Sequence, residues 1–364
     1  MLARIAQELF WLARDLTRAE DTARMLDGAF HSDVAGAPGE RGIALSWRGV
    51  LAVIGAKPPA PRPGPGSAQE GDSDPGVPTI NGTTPLTSES VRNADSVDTL
   101  PTPSLGPLGR LEIAPLLTLD TDSPASIVSC VHRSRERART LRDVISTEMW
   151  EALNGFYLSL GRYDLEAALA TGPYSVYQEV KERCALFWGL MDKTMLNDEA
   201  KSFLDAGAGI EEADMVLRML RVALAGSETP ATSLTAVTRH ETEALALLQA
   251  IGGFQAFRRS TREAPQLSQV AHFLLYEAAY PGSVIASLIN LRDSLATADP
   301  APRTAPPVLR VGRLIADLEL QQRLPDPGAA VHDLLVRCSE ELELIDRDIY
   351  DRYFAVAGQT AMHR

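Results

Sequence analysis

Two stretches of the chain place an arginine four residues after an acid. Residues 16–26 read LTRAEDTARML and hold Glu20 and Arg24; residues 210–220 read IEEADMVLRML and hold Asp214 and Arg218. Side chains four apart share one helix face, so each pair can bond within its own helix. Left in water, such a pair contributes only about 0.3–0.5 kcal/mol. Ala19, Ala23 and Ala213 lie beside these residues. Seam residues this small admit a second helix, which would half-bury the pairs and oblige them to find further partners. Both readings, solvated bridge and half-buried contact, fit the sequence.

A source of partners is HRSRERARTLRDVISTEMWEALN at 132–154. It carries Arg135, Glu136 and Arg139, then Glu148 and Glu151 on either side of Trp150. Guanidinium forks bind carboxylates and phosphates in pairs of hydrogen bonds. A solvated charged face is the alternative. GLMDKTMLNDEA at 189–200 has three carboxylates, Asp192, Asp198 and Glu199. Three oxygens of this kind suit Mg2+, but Asn197 or Asp198 capping the next helix is the simpler reading. No P-loop, GxGxxG, HExxH or GxSxG is present, and no Glu-x-x-His pair of the di-iron type. No cofactor or metal is therefore expected. Cys130 and Cys184 sit in apolar stretches and read as core.

These groups belong to an acidic chain of 364 residues, with 35 Lys and Arg against 48 Asp and Glu. A net charge of −13 makes nucleic acid a poor partner, because binding it needs clustered cations. Three scattered cysteines without a CxxC argue against a disulfide framework. The opening MLARIAQELFWLARDL is broken by charges and does not read as a signal peptide, and no apolar run is long enough to span a bilayer. The expectation is a cytoplasmic protein without a membrane partner.

The elements that must carry the charged residues read as helices throughout. Leu2, Ile5, Leu9, Leu12, Leu16, Ala19, Ala23, Leu26 and Phe30 follow steps of three and four, a helical seam. Ser123 with Pro124 suggests a helix start and a helix running toward Leu160, with room for a break. No stretch alternates as a strand does. The expected fold is all-α, a bundle of about eight helices. Residues 57–109, rich in Pro, Gly and Ser, read as a disordered insertion between a first helical part at 1–56 and the remainder of the domain at 110–357.

The halves also resemble each other. A shift of 194 places Leu16, Ala19, Glu20, Arg24 and Leu26 on Ile210, Ala213, Asp214, Arg218 and Leu220. A shift of 157 places Asp120, Pro124, Ser126 and Ile127 on Glu277, Pro281, Ser283 and Val284. The simplest account is an internal duplication packed with pseudo-two-fold symmetry; convergent helix patterning is the alternative.

FWLARDLTRAEDTARMLD, SRERARTLRDVISTEMWEALN, VKERCALFWGLMDKTMLNDEA and IEEADMVLRML, in that order, resemble the bacterial alpha-E domain over most of 1–355 outside the insertion. That family is all-helical. Its members are encoded beside, or fused to, circularly permuted ATP-grasp ligases, with transglutaminase-like proteases as further neighbours. The resemblance implies a part in making or modifying peptide or amide bonds, with an ATP-grasp-type ligase as partner and a peptide or amino acid as ligand. The first family motif is usually Glu-Arg-Ala-Glu, where this chain has Thr17 in the leading place. The second is usually Gly-Arg-Tyr-Leu-Glu-Arg-Ala-Asp, where this chain reads GAGIEEAD, and the usual Pro-Arg-Ser has Gly282 at its centre. Three functions follow as expectations: an accessory or scaffold module of a ligase system, an enzyme of that system working through clustered Glu, Asp and Arg, or a structural protein. Convergence of Glu20, Arg24, Asp214, Arg218 and Glu148 would favour a ligand site or an enzyme.

Overall fold

In the computed structural model, residues 1–34, 46–57, 109–171, 174–225, 234–323 and 331–355 are described. Most of the 57–109 segment lies outside them. The described residues form fourteen α-helices and no strand. They are α1 (Ala3–Val34), α2 (Trp47–Ile54), α3 (Arg110–Thr118), α4 (Ile127–Thr140), α5 (Thr147–Leu160), α6 (Leu165–Thr171) and α7 (Tyr174–Thr194). These are followed by α8 (Glu199–Ala225), α9 (Leu234–Ile251), α10 (Phe254–Thr261), α11 (Leu267–Tyr276), α12 (Val284–Ala298), α13 (Pro306–Gln322) and α14 (Val331–Ile349). A π turn at Tyr350–Phe354 continues α14.

The count exceeds eight because local signals cut what periodicity runs together. Ser146 accepts from the backbone N of Met149 and starts α5 afresh after a turn at 141–146. Gly252, at φ 74°, ends α9 in a left-handed conformation that residues with a Cβ rarely adopt. The cap expected at Ser123 falls at Ser126 instead. Its Oγ accepts from Ser129 N, while Ser123 and Pro124 belong to the turn before α4. Asp198 caps α8, its carboxylate accepting from Ala200 N and Lys201 N.

The α1 seam is buried from Leu9 to Leu26, whereas Leu2 is exposed and Ile5 and Phe30 are half-buried. Against it lies α8, apolar on most of its circumference and packed on α1, α2, α12 and α14. The two run side by side in the same direction: the amino group of Met1 reaches Glu199, Gly207 lies on Phe10 and Ala13, and Glu211 meets Arg14 and Arg18. Two glycines permit the approach. A Cβ at Gly207 would stand 2.2 Å from the Phe10 carbonyl oxygen, and one at Gly209 would stand 3.0 Å from that of Ser287 on α12. Backbones this close leave no room for a methyl group.

Packing partners recur in pairs. α1 packs on α4 and on α7; α8 packs on α12 and on α14. α4 and α5, then α5 and α7, are in contact, as are α12 and α13, then α13 and α14. Across the middle, α9 lies on α1 and α2 lies on α8. The turns before α4 and α12 share several bonds. Ser126 Oγ donates to Asp120 O at 2.6 Å, and Ser283 Oγ to Glu277 O at 2.8 Å. Cys130 Sγ faces Pro124 O, and Ser287 Oγ faces Pro281 O.

Candidate functional site

The α1–α8 contact draws the charged residues together. Glu211, fully buried, accepts from Arg18 Nε at 2.6 Å and from Arg14 Nε at 2.9 Å. Burial alone would raise its pKa; Arg14 and Arg18 outweigh that and hold the carboxyl below its usual range. Arg14 also reaches Asp346 on α14 at 2.7 Å and lies against the Trp11 ring. On the other side of α1, Asp15 takes two bonds from Arg133, the shorter at 2.6 Å, and one from Arg137, which also approaches Glu8. Four helices, α1, α4, α8 and α14, are thereby tied by ionic bonds, with carboxylates and guanidinium groups interleaved.

The pairs that the sequence singles out lie beside these bonds. Glu20 and Arg24 pair on α1 at 2.6 Å, and Asp214 and Arg218 pair on α8 at 2.5 Å. Both pairs are half-buried, each acid more so than its arginine. They flank the Arg18–Glu211 bond without sharing it. Asp214 is near enough to Glu211 and Arg14 to be influenced by both, although burial is the chief reason its pKa is raised.

On α4 the expected arginines face elsewhere. Arg133 and Arg137 point to α1, so Arg135 and Arg139, two positions on, fall on roughly the opposite side of the helix. Arg135 donates to Asn154 Oδ1 at 2.8 Å and to Glu136, which also accepts from Arg139. Arg135 and Arg142 both lie over Trp150. Glu148 and Glu151 are exposed on α5. Asp192 meets Lys201 at 3.1 Å near the start of α8. Of the candidates, then, the motif pairs Glu20–Arg24 and Asp214–Arg218 are brought to the α1–α8 contact. Arg135, Glu136 and Arg139 make a surface cluster of their own, while Glu148, Glu151 and Asp192 lie apart.

Arg14, Arg18, Asp15, Glu211, Arg133 and Arg137 were missed. A signal existed: Arg14 with Arg18, and Arg133 with Arg137, are like charges four apart, which repel unless an acid from another helix sits between them. Searching for opposite charges within one helix passes over that pattern.

A cleft of about 160 Å³ opens beside this network, lined by Arg14, Asp214, Arg218 and Arg221 on one side and Ser339, Glu343 and Asp346 of α14 on the other. Arg221 is exposed at its edge. A larger hollow of about 440 Å³ lies by the start of α4, where Arg133, His132 and Tyr157 meet Pro124. The thiols are placed for packing. Burial pushes Cys130 up to about 12 and Cys338 to about 11, and Cys184 well above its ordinary value.

Comparison with known families gives one match to nearly the whole chain. Residues 1–354 match Alpha-E, described as a predicted alpha-helical domain with a conserved ER motif. Two uncharacterized proteins, from Mycobacterium bovis and Mycobacterium tuberculosis, are each 25% identical over 183 residues. That stretch is 49% of this chain and 20% of each relative, so the chain spans about a fifth of the length of the curated proteins it matches. No solved structure matches.

Proposed function

The chain belongs to the Alpha-E family, and on that footing we propose that it is a helical accessory module of an ATP-grasp-type peptide or amide ligase system, binding the ligase or a carboxylate-bearing ligand. The observation that carries the reading is the cleft between α8 and α14. Arg218 and the exposed Arg221 stand at its wall, and Asp346 and Asp214 hold Arg14 and Arg218 in place. Its 160 Å³ suits the head of a ligand, such as the carboxylate of a peptide terminus, and not a whole cofactor. The relatives support a module: the matched stretch is one fifth of each, leaving four fifths of those chains for other work. The same reading takes the two halves as an internal duplication, supported by the paired packing and the two matching serine-capped turns.

Calorimetric titration of a short peptide with a free C-terminus, against the same peptide amidated, tests this. Binding of the free acid only, weakened about tenfold in Arg221→Ala, is the expected result; one charge-assisted hydrogen bond is of that size. Equal heats from the acid and the amide overturn the carboxylate assignment. Co-purification with an ATP-grasp ligase from the same cell, and a ligation assay with and without the chain, test the partner.

A further inference from the structure

The shift of 194 that aligns the halves pairs Arg18 with Glu212 and Thr17 with Glu211. On one side of the α1–α8 contact, Arg18 therefore bonds Glu211 across the two helices. The positions equivalent to that bond are Glu212 and Thr17: an acid stands where the arginine would be and a hydroxyl where the acid would be. The family's conserved Glu-Arg is divided the same way. The first half keeps the arginine in Thr17-Arg18, the second the acid in Glu211-Glu212, and these two are the pair that is bonded.

The equivalent position is thereby left acidic. Thr17, Glu20, Asp21 and Arg24 fall three or four apart and share one face of α1. Glu212 faces them from α8 and accepts from Ser287 Oγ of α12 at 3.3 Å. The three carboxylates act on one another. Burial and then Glu20 and Glu212 push Asp21 well above its ordinary value, and burial together with Glu20 and Asp205 pushes Glu212 up to about 7. Arg24, bonded to Glu20, also lies close enough to Asp21 to offset part of this repulsion. Thr17 is only 4% exposed, and its hydroxyl has no hydrogen-bond partner among the described residues. A buried hydroxyl of this kind is costly unless something bonds it. Asp21 and Glu212 keep partial exposure, so the centre can be reached from solvent. No three His, Cys, Asp or Glu side chains among the described residues are grouped to hold a metal ion.

We propose that this acidic centre, built from Glu20, Asp21, Glu212 and Thr17, binds an alkylammonium or guanidinium group. The chemistry is that of the equivalent position: where one side of the contact supplies a guanidinium from its own chain, this side takes the cation from outside. The carboxylates accept the charged N–H groups, and Thr17 Oγ accepts one more. The inference is independent of the carboxylate cleft on the other side and stands or falls without it.

Titration calorimetry on the full chain tests it. The probes are n-butylamine, agmatine, and a tetrapeptide with its amino terminus free or acetylated. Tetramethylammonium, which carries charge but no N–H, is the control. Binding of n-butylamine or agmatine in the millimolar range, absent for tetramethylammonium, is expected; the two forms of the tetrapeptide tell a peptide terminus from a small amine. Glu212→Gln should weaken binding about tenfold, one charge-assisted bond's worth. Glu212→Arg brings the missing cation from the chain itself, so it should abolish binding and raise the melting temperature. No binding to wild type, binding unchanged in Glu212→Gln, or tetramethylammonium binding as well as the amines each overturns the proposal.

Discussion

Arg18 of α1 and Glu211 of α8 are joined at 2.6 Å across the contact between the two helices, with Arg14 on the other oxygen of the same carboxylate. Glu211 has no exposed surface, and both arginines are mostly covered. Removing the acid would strand two guanidinium groups in a place poor in water. Glu211→Ala should therefore cost about 3–5 kcal/mol, measured by urea unfolding. A loss below about 1 kcal/mol, the range of an exposed pair, would mean that water reaches the site after all.

The motif pairs should behave differently. Arg24 and Arg218 each keep about a third of their side-chain surface in solvent, at 32% and 37%. Water can resolvate Glu20 or Asp214 when its partner goes. Arg24→Ala and Arg218→Ala should each cost about 1 kcal/mol or less, well under Glu211→Ala in the same titration. Losses matching that of Glu211 would place these pairs in the buried network too.

How far the sequence showed this depends on the residue. The α1 seam was legible because Leu9, Leu12, Leu16, Ala19, Ala23 and Leu26 repeat at the helical period and are all buried. Ala19 and Ala213 signalled that a helix approaches closely. Which helix approaches was not legible, since Gly207 and Gly209 look like breakers in a linear reading and act here as contact surfaces. The pairs within α1 and within α8 could be read from spacing. The bond between Arg18 and Glu211 spans 193 residues and depends on register between helices, which no local pattern encodes. On α4 the sequence shows an arginine-rich stretch, but Arg133 and Arg137, and not Arg135 and Arg139, make the contact with α1. Only the direction in which the helix presents itself separates the two sets.

Gly207 offers a direct check on the close approach. An added Cβ would meet the Phe10 backbone at 2.2 Å, and a backbone cannot step aside as a flexible side chain can. Gly207→Ala should cost about 1–3 kcal/mol through overpacking. At Gly312 on α13 nothing lies within 4 Å of the same atom, so Gly312→Ala should stabilise by about 0.5–1 kcal/mol through reduced freedom of the unfolded chain. Stabilisation by both alanine variants would show that helix propensity, and not the α1–α8 contact, governs both sites.

The pH dependence of stability separates the two carboxylates that face α1. Glu212 has its pKa raised from 4.5 to about 7, first by burial, then by Glu20 and Asp205, against the bond from Ser287. The groups around it are Glu20, Asp21 and Arg24 on α1, Asp205 with Lys201 on α8, Ser287 on α12, and Tyr280 in the turn before α12. A carboxyl that holds its proton more tightly when folded stabilises the fold fully below its unfolded pKa and stops doing so above its folded one. This contribution is present below pH 4.5 and is lost as pH rises through about 7. Asp21, also raised, acts with the same sign. Glu211 has the opposite sign: its pKa is lowered, so its contribution is present above 4.5 and is lost as pH falls through its folded value. Melting temperatures taken from about pH 5 to about pH 8 should thus decline in wild type and decline less in Glu212→Gln, because the amide has no proton to lose. Parallel curves for the two proteins would remove Glu212 from the account and leave Asp21 alone to carry the decline.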